Sequence, residues 1–150
     1  MKTILIASDH GGFALKESLK TYLKNKGFKI KDLGPFDGQR CDYPEFAYNL
    51  ASKVGAGKFK RGILICKSGI GNSIVANRVP GVRAALCHNL KCARLARKHN
   101  DSNVLVLGAL FVKPGLARKI TGIWLNTEFE GGRHKRRLNQ IREIERIIRT

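Results

Sequence analysis

A chain of 150 residues, 43% of them hydrophobic, is long enough for one domain with its own core, and no stretch approaches the roughly 20 apolar residues a membrane span needs. Its formal net charge is +18, from 29 Lys and Arg against 11 Asp and Glu. Zinc-finger, RNP and homeodomain patterns are absent and aromatic residues make up only 7%. A solvated basic surface serving a small anionic substrate is therefore expected before a nucleic-acid partner.

The basic residues are scattered through Lys16, Lys20, Lys24, Lys26, Lys29 and Lys31, then Arg94, Arg97 and Lys98, and concentrate between Arg133 and Arg149. The apolar run of Met1–Ala7 is too short for a signal peptide and meets Asp9-His10 at once, which predicts a cytoplasmic protein. Cys41, Cys66, Cys87 and Cys92 are well separated, form no C-x-x-C pair and have no zinc-site spacing. Burial is the default for Cys87 and Cys92, and Cys41 is a bystander in a polar loop.

In chain order, Thr3–Ser8 reads as a fully buried strand ending at Asp9-His10-Gly11-Gly12. Ala14–Lys26 has helical spacing, with Leu15, Leu19, Tyr22 and Leu23 on one face and Gly27 closing it. Phe28–Leu33 alternates as a second strand, and the polar loop 34–43 is a candidate rim of a site. Pro44–Val54 is the next helix, followed by a third strand, Gly62–Ile65. This strand runs into Cys66-Lys67-Ser68-Gly69-Ile70-Gly71-Asn72-Ser73 and a helix-compatible stretch through Ile74–Asn77.

Val82–Leu86 and Val104–Leu107 are the fourth and fifth strands. Leu90–Lys98 is a helix ending at His99-Asn100-Asp101, and another spans about Pro114–Leu125. A charged last helix, His134–Arg149, is suited to docking on a neighbour. The alternation predicts a three-layer α/β/α Rossmann-like sandwich with a five-stranded parallel sheet and a C-terminal helix, organised as a single domain over 1–150. Ligands of such sheets bind beyond the carboxyl ends of the strands, where Asp9, His10, Cys66 and the Gly69–Gly71 loop fall.

Taken singly, Asp9 is as well explained as a helix cap, His10 as an exposed loop residue and His99 as a dipole-favoured helix terminus. No G-x-G-x-x-G follows the first strand and no Walker loop is present. A cysteine phosphatase needs arginine six residues after its cysteine, and that position is Asn72.

Ser8-Asp9-His10-Gly11-Gly12-Phe13, Asp42-Tyr43-Pro44, Ile63-Leu64-Ile65-Cys66 with Ser68-Gly69-Ile70-Gly71, His99-Asn100-Asp101 and Gly131-Gly132-Arg133-His134 together resemble ribose-5-phosphate isomerase type B, in order and spacing. The superfamily also includes galactose-6-phosphate isomerase subunits and allose-6-phosphate isomerase. The resemblance implies metal-free, cofactor-free interconversion of ribose 5-phosphate and ribulose 5-phosphate through an enediolate, in the pentose phosphate pathway. It makes Cys66 the base, with helix-start amides and nearby cations expected to lower its pKa.

The same resemblance makes Ser68 both catalytic and substrate-binding and gives Gly69, Ile70, Gly71 and Lys67 to substrate binding, the amides from Gly69 to Asn72 holding the enediolate oxygen. His99 opens the furanose ring, Asp9 contacts sugar hydroxyls or assists ring opening, and Asn100 holds the open chain. His10, Arg133 and Arg137 bind phosphate. A homodimer with shared sites is implied, with a dimer of dimers as a further assembly. Lys67 stands where glycine is usual and Leu110 where a phosphate-binding arginine often occurs, with Lys67 and Lys113 the candidates to compensate. A six-carbon sugar phosphate is the alternative substrate, and a basic nucleic-acid-binding protein on the same fold the alternative class.

Overall fold

Runs of successive apolar residues, rather than alternating ones, mark strands covered on both faces. In the computed structural model, which describes residues 3–149, Thr3–Ser8 forms β1, Arg61–Cys66 forms β3 and Val104–Gly108 forms β5. From Ile4, Gly62 and Val104 onward every residue of these strands is buried. Lys29–Asp32 (β2) and Ala84–Leu86 (β4) flank them, giving a five-stranded sheet in the order β2-β1-β3-β5-β4 with every pairing parallel. Around it lie α1 (Phe13–Asn25), α2 (Tyr43–Gly55), α3 (Ile70–Ala76), α4 (Leu90–Asn100), α5 (Pro114–Asn126) and α6 (Arg133–Ile148). The expected α/β class is the observed one. Met1 and Lys2 of the apolar opening stretch lie outside the described residues, among which no helix is long and apolar enough to cross a membrane.

Alternate residues of each inner strand supply two cores. Ile4, Ile6, Ile63, Ile65, Leu105 and Leu107 meet Leu15, Leu19, Leu23, Ile120 and Trp124 of α1 and α5 on one face. Leu5, Ala7, Leu64, Val104 and Val106 meet Ala47, Leu50, Ala51 and Val54 of α2 on the other. Since β1 is followed by β2 on one side and β3 on the other, the topology reverses between β1 and β3. A crevice opens there beyond their carboxyl ends, and Asp9 N–H crosses it to the Ile65 carbonyl at 3.3 Å.

Several boundaries differ from expectation. β4 is shorter than 82–86 because Val82 N–H closes a turn onto Val79, and Arg83 bonds Asn103 instead of continuing the ladder. The stretch Ile70–Ser73, expected as loop, is the first turn of α3; the chain reverses at Gly69, whose φ of 81° suits glycine alone. His99 and Asn100 complete the last turn of α4, which Asp101 ends in a left-handed conformation.

Two of the supposedly solvated basic residues are buried. Lys16 is 0% exposed with its ammonium 2.8 and 2.9 Å from the Asp32 oxygens. Arg97 is 4% exposed and bonds Asp101, Ser102 and Thr127. The charge that faces water is smaller than the composition suggests.

Candidate active site

Cys66 ends β3 and is 4% exposed. The tight return of the chain at Gly69 brings that residue's N–H to the sulfur at 3.1 Å. Burial pushes the thiol above its ordinary value; the amides of Asn72, Gly69 and Ser68 pull it back, while the Asp9 charge adds to the rise. The expectation that helix-start amides lower this pKa is thus corrected. They act in that direction, but desolvation outweighs them.

The neighbours of the thiol come from four segments. Asp9 is 7% exposed, and its Oδ1 accepts from Gly12 N–H at 3.0 Å, the capping arrangement weighed for it. Gly12 has no room for a side chain, since a Cβ there would lie 2.5 Å from the Ile65 carbonyl oxygen. His10 is exposed and its Nδ1 meets the Cys41 backbone, 2.9 Å from O and 3.2 Å from N, so Cys41 is a support for His10 rather than a bystander. Ser68 Oγ accepts from Ile70 N–H at 3.2 Å. Lys67 is exposed with its Cβ against Gly11, and its carbonyl accepts from Leu110 N–H at 2.9 Å.

Two side chains had no assigned part in the site from sequence. The Tyr43 ring packs so closely over Gly71 that a side chain there would strike it. Asn72, expected to contribute only its backbone amide, has a side chain in the site as well: it is 1% exposed, and its Nδ2 has no hydrogen-bond partner among the described residues. Glycine at 71 was the available sign of the first contact; nothing in the sequence signals the second.

A second group forms at the end of α4. The His99 and His134 rings stack with centroids 4.2 Å apart and planes 13° from parallel. Glu130 Oε1 lies 3.8 Å from His99 Nε2 and 3.4 Å from His134 Nε2. Burial first, then the charges of His99 and Arg133, lower the His134 pKa. Exposed Arg133 and Arg137, one helical turn apart, start α6 beside this pair, and exposed Asn100 follows His99, its carbonyl accepting from Arg83 Nε at 3.1 Å. The three ligand atoms of His99, Glu130 and His134 lie within 4.8 Å of one another, the composition of a cation site. Rings so nearly parallel direct their in-plane lone pairs side by side, so the donors do not converge on one ion.

The two groups sit at opposite edges of the sheet. The strands run toward Cys66, whereas α4 runs back and delivers His99 and Asn100 to the edge where β5 begins, where Asn103 O accepts from Gly62 N–H at the start of β3. About five strand steps, roughly 17 Å, lie between those edges. The structure therefore brings together Asp9, His10, Cys66, Lys67, Ser68, Gly69, Ile70 and Gly71, and separately His99, Asn100, Arg133 and Arg137.

Fold and site define a doubly wound α/β protein carrying a buried thiol at its topological switch point. A family model described as Ribose/Galactose Isomerase matches residues 4–141. The chain is 42% identical to ribose-5-phosphate isomerase B of Escherichia coli (strain K12) over 145 residues, 97% of each protein. It is 46% identical to D-erythrulose-4-phosphate isomerase of Pectobacterium atrosepticum over 134 residues, 88% of each. A solved structure of ribose-5-phosphate isomerase B from Mycoplasma genitalium with bound ribulose-5-phosphate superposes with a TM-score of 0.92 at 44% identity, covering 96% of each chain. The chain belongs to the ribose/galactose isomerase family. It is an isomerase.

Proposed function

We propose that the whole chain acts as one domain interconverting ribose 5-phosphate and ribulose 5-phosphate through an enediolate, without a metal, in a homodimer with shared sites. The observation that carries the chemistry is the single buried thiol held at the switch point against the amides of Ser68, Gly69 and Asn72. In this reading the Cys66 thiolate takes the proton from C2 of the open-chain aldose, leaving an enediolate. The O2 proton passes to O1, and the Cys66 thiol returns its proton to C1, giving the ketose. Amides at the start of α3 face the charge that develops on oxygen. His99 of a second copy transfers the anomeric hydroxyl proton to the ring oxygen as the C1–O bond to that oxygen breaks. Arg133 and Arg137 of that copy, with His10 and Lys67 of the first, hold the phosphate.

The placement of His99 and Cys66 at opposite edges supports the shared site, because one chain alone does not bring them together. Ile141 and Ile144 of α6 are 43% and 54% exposed and border a groove of about 420 Å³ with Val82, Ala84 and Leu138, an apolar face suited to a second copy. A dimer of dimers is compatible with the remaining apolar exposure at Leu110 and Phe111. A reducing cytoplasm suits the four free thiols. The relative acting on D-erythrulose 4-phosphate makes a four-carbon substrate the second reading, beside the six-carbon one.

The test is turnover of ribose 5-phosphate, allose 6-phosphate, galactose 6-phosphate and D-erythrulose 4-phosphate by wild type, Cys66→Ala, His99→Asn and a co-refolded mixture of the two variants. Cys66→Ala is expected to lose at least about a hundredfold in kcat. Random pairing makes half the dimers mixed, each with one intact site, so the mixture should regain about a quarter of wild-type activity. Full activity in Cys66→Ala would sink the base assignment. A mixture no better than its parents would sink the shared site.

A further inference from the structure

The stack at the end of α4 is more constrained than the placement of one catalytic histidine requires. One Glu130 oxygen faces both imidazoles, at 3.8 Å from His99 Nε2 and 3.4 Å from His134 Nε2. The main chain at both residues is tied down, since Glu130 N–H donates to the Lys98 carbonyl at 3.1 Å, and His134 N–H donates to the Gly131 carbonyl at 3.1 Å. His134 is 5% exposed and its Nε2 has no hydrogen-bond partner among the described residues, whereas the His99 side chain is 38% exposed.

Two imidazolium rings with centroids 4.2 Å apart repel by about 1 kcal/mol even in water. The stack with its single carboxylate is therefore built to share one extra proton rather than to carry two. Burial disfavours that proton on His134. On the exposed ring it keeps both the carboxylate and solvent as partners.

We propose that Glu130 and His134 are positioning residues for His99: His134 is the buried seat that fixes the plane of the ring, and Glu130 reserves the shared proton for it. The proposal rests on the assignment of sugar-ring opening to His99, a step that needs an imidazole held in one orientation and able to cycle its proton. Other charges around the stack are arranged consistently. On α4, Lys98 flanks His99, and Asp101 is occupied by Arg97 at 2.8 Å and Arg83 at 3.5 Å. From α6, Arg133 and Arg137 add positive charge that opposes protonation of His134. Glu130 is the carboxylate within 4 Å of both imidazoles.

The experiment uses the full chain with Glu130→Gln, which keeps size at a half-exposed position, and His134→Phe, which keeps the stacked surface without a titrating nitrogen. The His99 midpoint is followed by NMR from its ring Cε1–H, assigned with His99→Asn, beside the pH profile of kcat on ribose 5-phosphate. Glu130→Gln should lower the midpoint, moving the profile with it. His134→Phe should raise it, because the other ring that can take the shared proton is gone. Opposite shifts support the proposal; shifts of one sign, or none, overturn it, since a merely structural role would change melting without splitting the midpoints. Should His134→Phe not fold, the Glu130→Gln shift decides alone. The NMR midpoint is read whichever sugar is turned over, so its failure is separable from failure of the isomerase reading.

Discussion

Replacing Asp32 by asparagine removes the counter-charge of a lysine that has no access to water. Lys16 is 0% exposed, with Nζ 2.8 and 2.9 Å from the two Asp32 oxygens; Lys20 approaches the same carboxylate at 2.7 Å and Gly34 N–H at 2.8 Å. Deleting one partner of a buried pair costs about 3–5 kcal/mol, because the other charge is left uncompensated. The Pro35 carbonyl and the rings of Phe13 and Phe36, 5.2 and 5.6 Å from Nζ, still face the ammonium, which places the expected loss near the lower bound, ~3 kcal/mol. For a domain of this length that is a fall in Tm of roughly 10 °C, read by thermal melting at pH 7.

The pH dependence supplies an internal control for the same variant. Burial alone raises the Asp32 pKa, but hydrogen bonds from Lys16, Lys20 and Gly34 prevail and hold it below its ordinary 3.8. A depressed carboxylate pKa stabilises the fold above the unfolded value, and that stabilisation is lost as pH falls through the folded one. The gap between wild type and Asp32→Asn should therefore narrow below pH 4. Lys16→Met should cost much less, since Asp32 keeps Lys20 and Gly34. An Asp32→Asn protein melting within about 2 °C of wild type, or a gap constant down to pH 3, would refute the reasoning. The network also fixes the exit of β2, from which the chain runs to Cys41 and its contact with His10.

Alkylation of Cys66 by iodoacetamide, located by peptide mass, should be slow at pH 7 and keep rising past pH 9, because burial holds the thiol above its ordinary 9.0; a plateau below pH 8 would contradict this. Asp9→Asn should accelerate it at pH 8, since the Asp9 charge contributes to the rise. Ile144→Glu, at a 54% exposed position of α6, should weaken self-association by about 2 kcal/mol or more and lower activity with Tm of the fold kept. Sedimentation showing unchanged association would remove α6 from the interface.

Element order, parallel pairing and the Cys66 half of the site were legible because each has a local signature. Buried strands read as apolar runs, and chain reversals read as glycines, at 27 where α1 ends and at 69 where the loop turns back. What stayed hidden depended on partners distant in sequence. Lys16 looked like one more surface lysine because nothing local reveals that Asp32 and Pro35 close over it. Arg61 and Arg97 are likewise taken up by the fold: burial, then the charge of Arg97, brings the Arg61 pKa down to about 10, with the guanidinium 5.1 Å from the Trp124 ring. The thiol pKa was misjudged for the same reason, since the amides that lower it are local while the desolvation that raises it comes from the whole crevice. Glu130 and His134 are four residues apart, a spacing that brings side chains together on a helix, yet α6 starts only at Arg133 and Glu130 reaches His134 from the preceding segment.

The separation of the two groups follows from the architecture. In a parallel sheet every strand ends at one edge, so a residue at the end of a strand, as Cys66 is, lies at the carboxyl edge. Every crossover helix must return to the other edge, so a residue in the last turn of α4, as His99 is, lies at the amino edge. No adjustment of side chains moves His99 across the roughly 17 Å of sheet between them. A reaction needing both a thiol base after β3 and an imidazole at the end of α4 is satisfied only when a second copy presents its α4 edge to the Cys66 crevice. The basic start of α6 then arrives with His99, because Arg133 and Arg137 flank the His134 that His99 stacks on. One rigid group would deliver the His99 imidazole and both guanidiniums together.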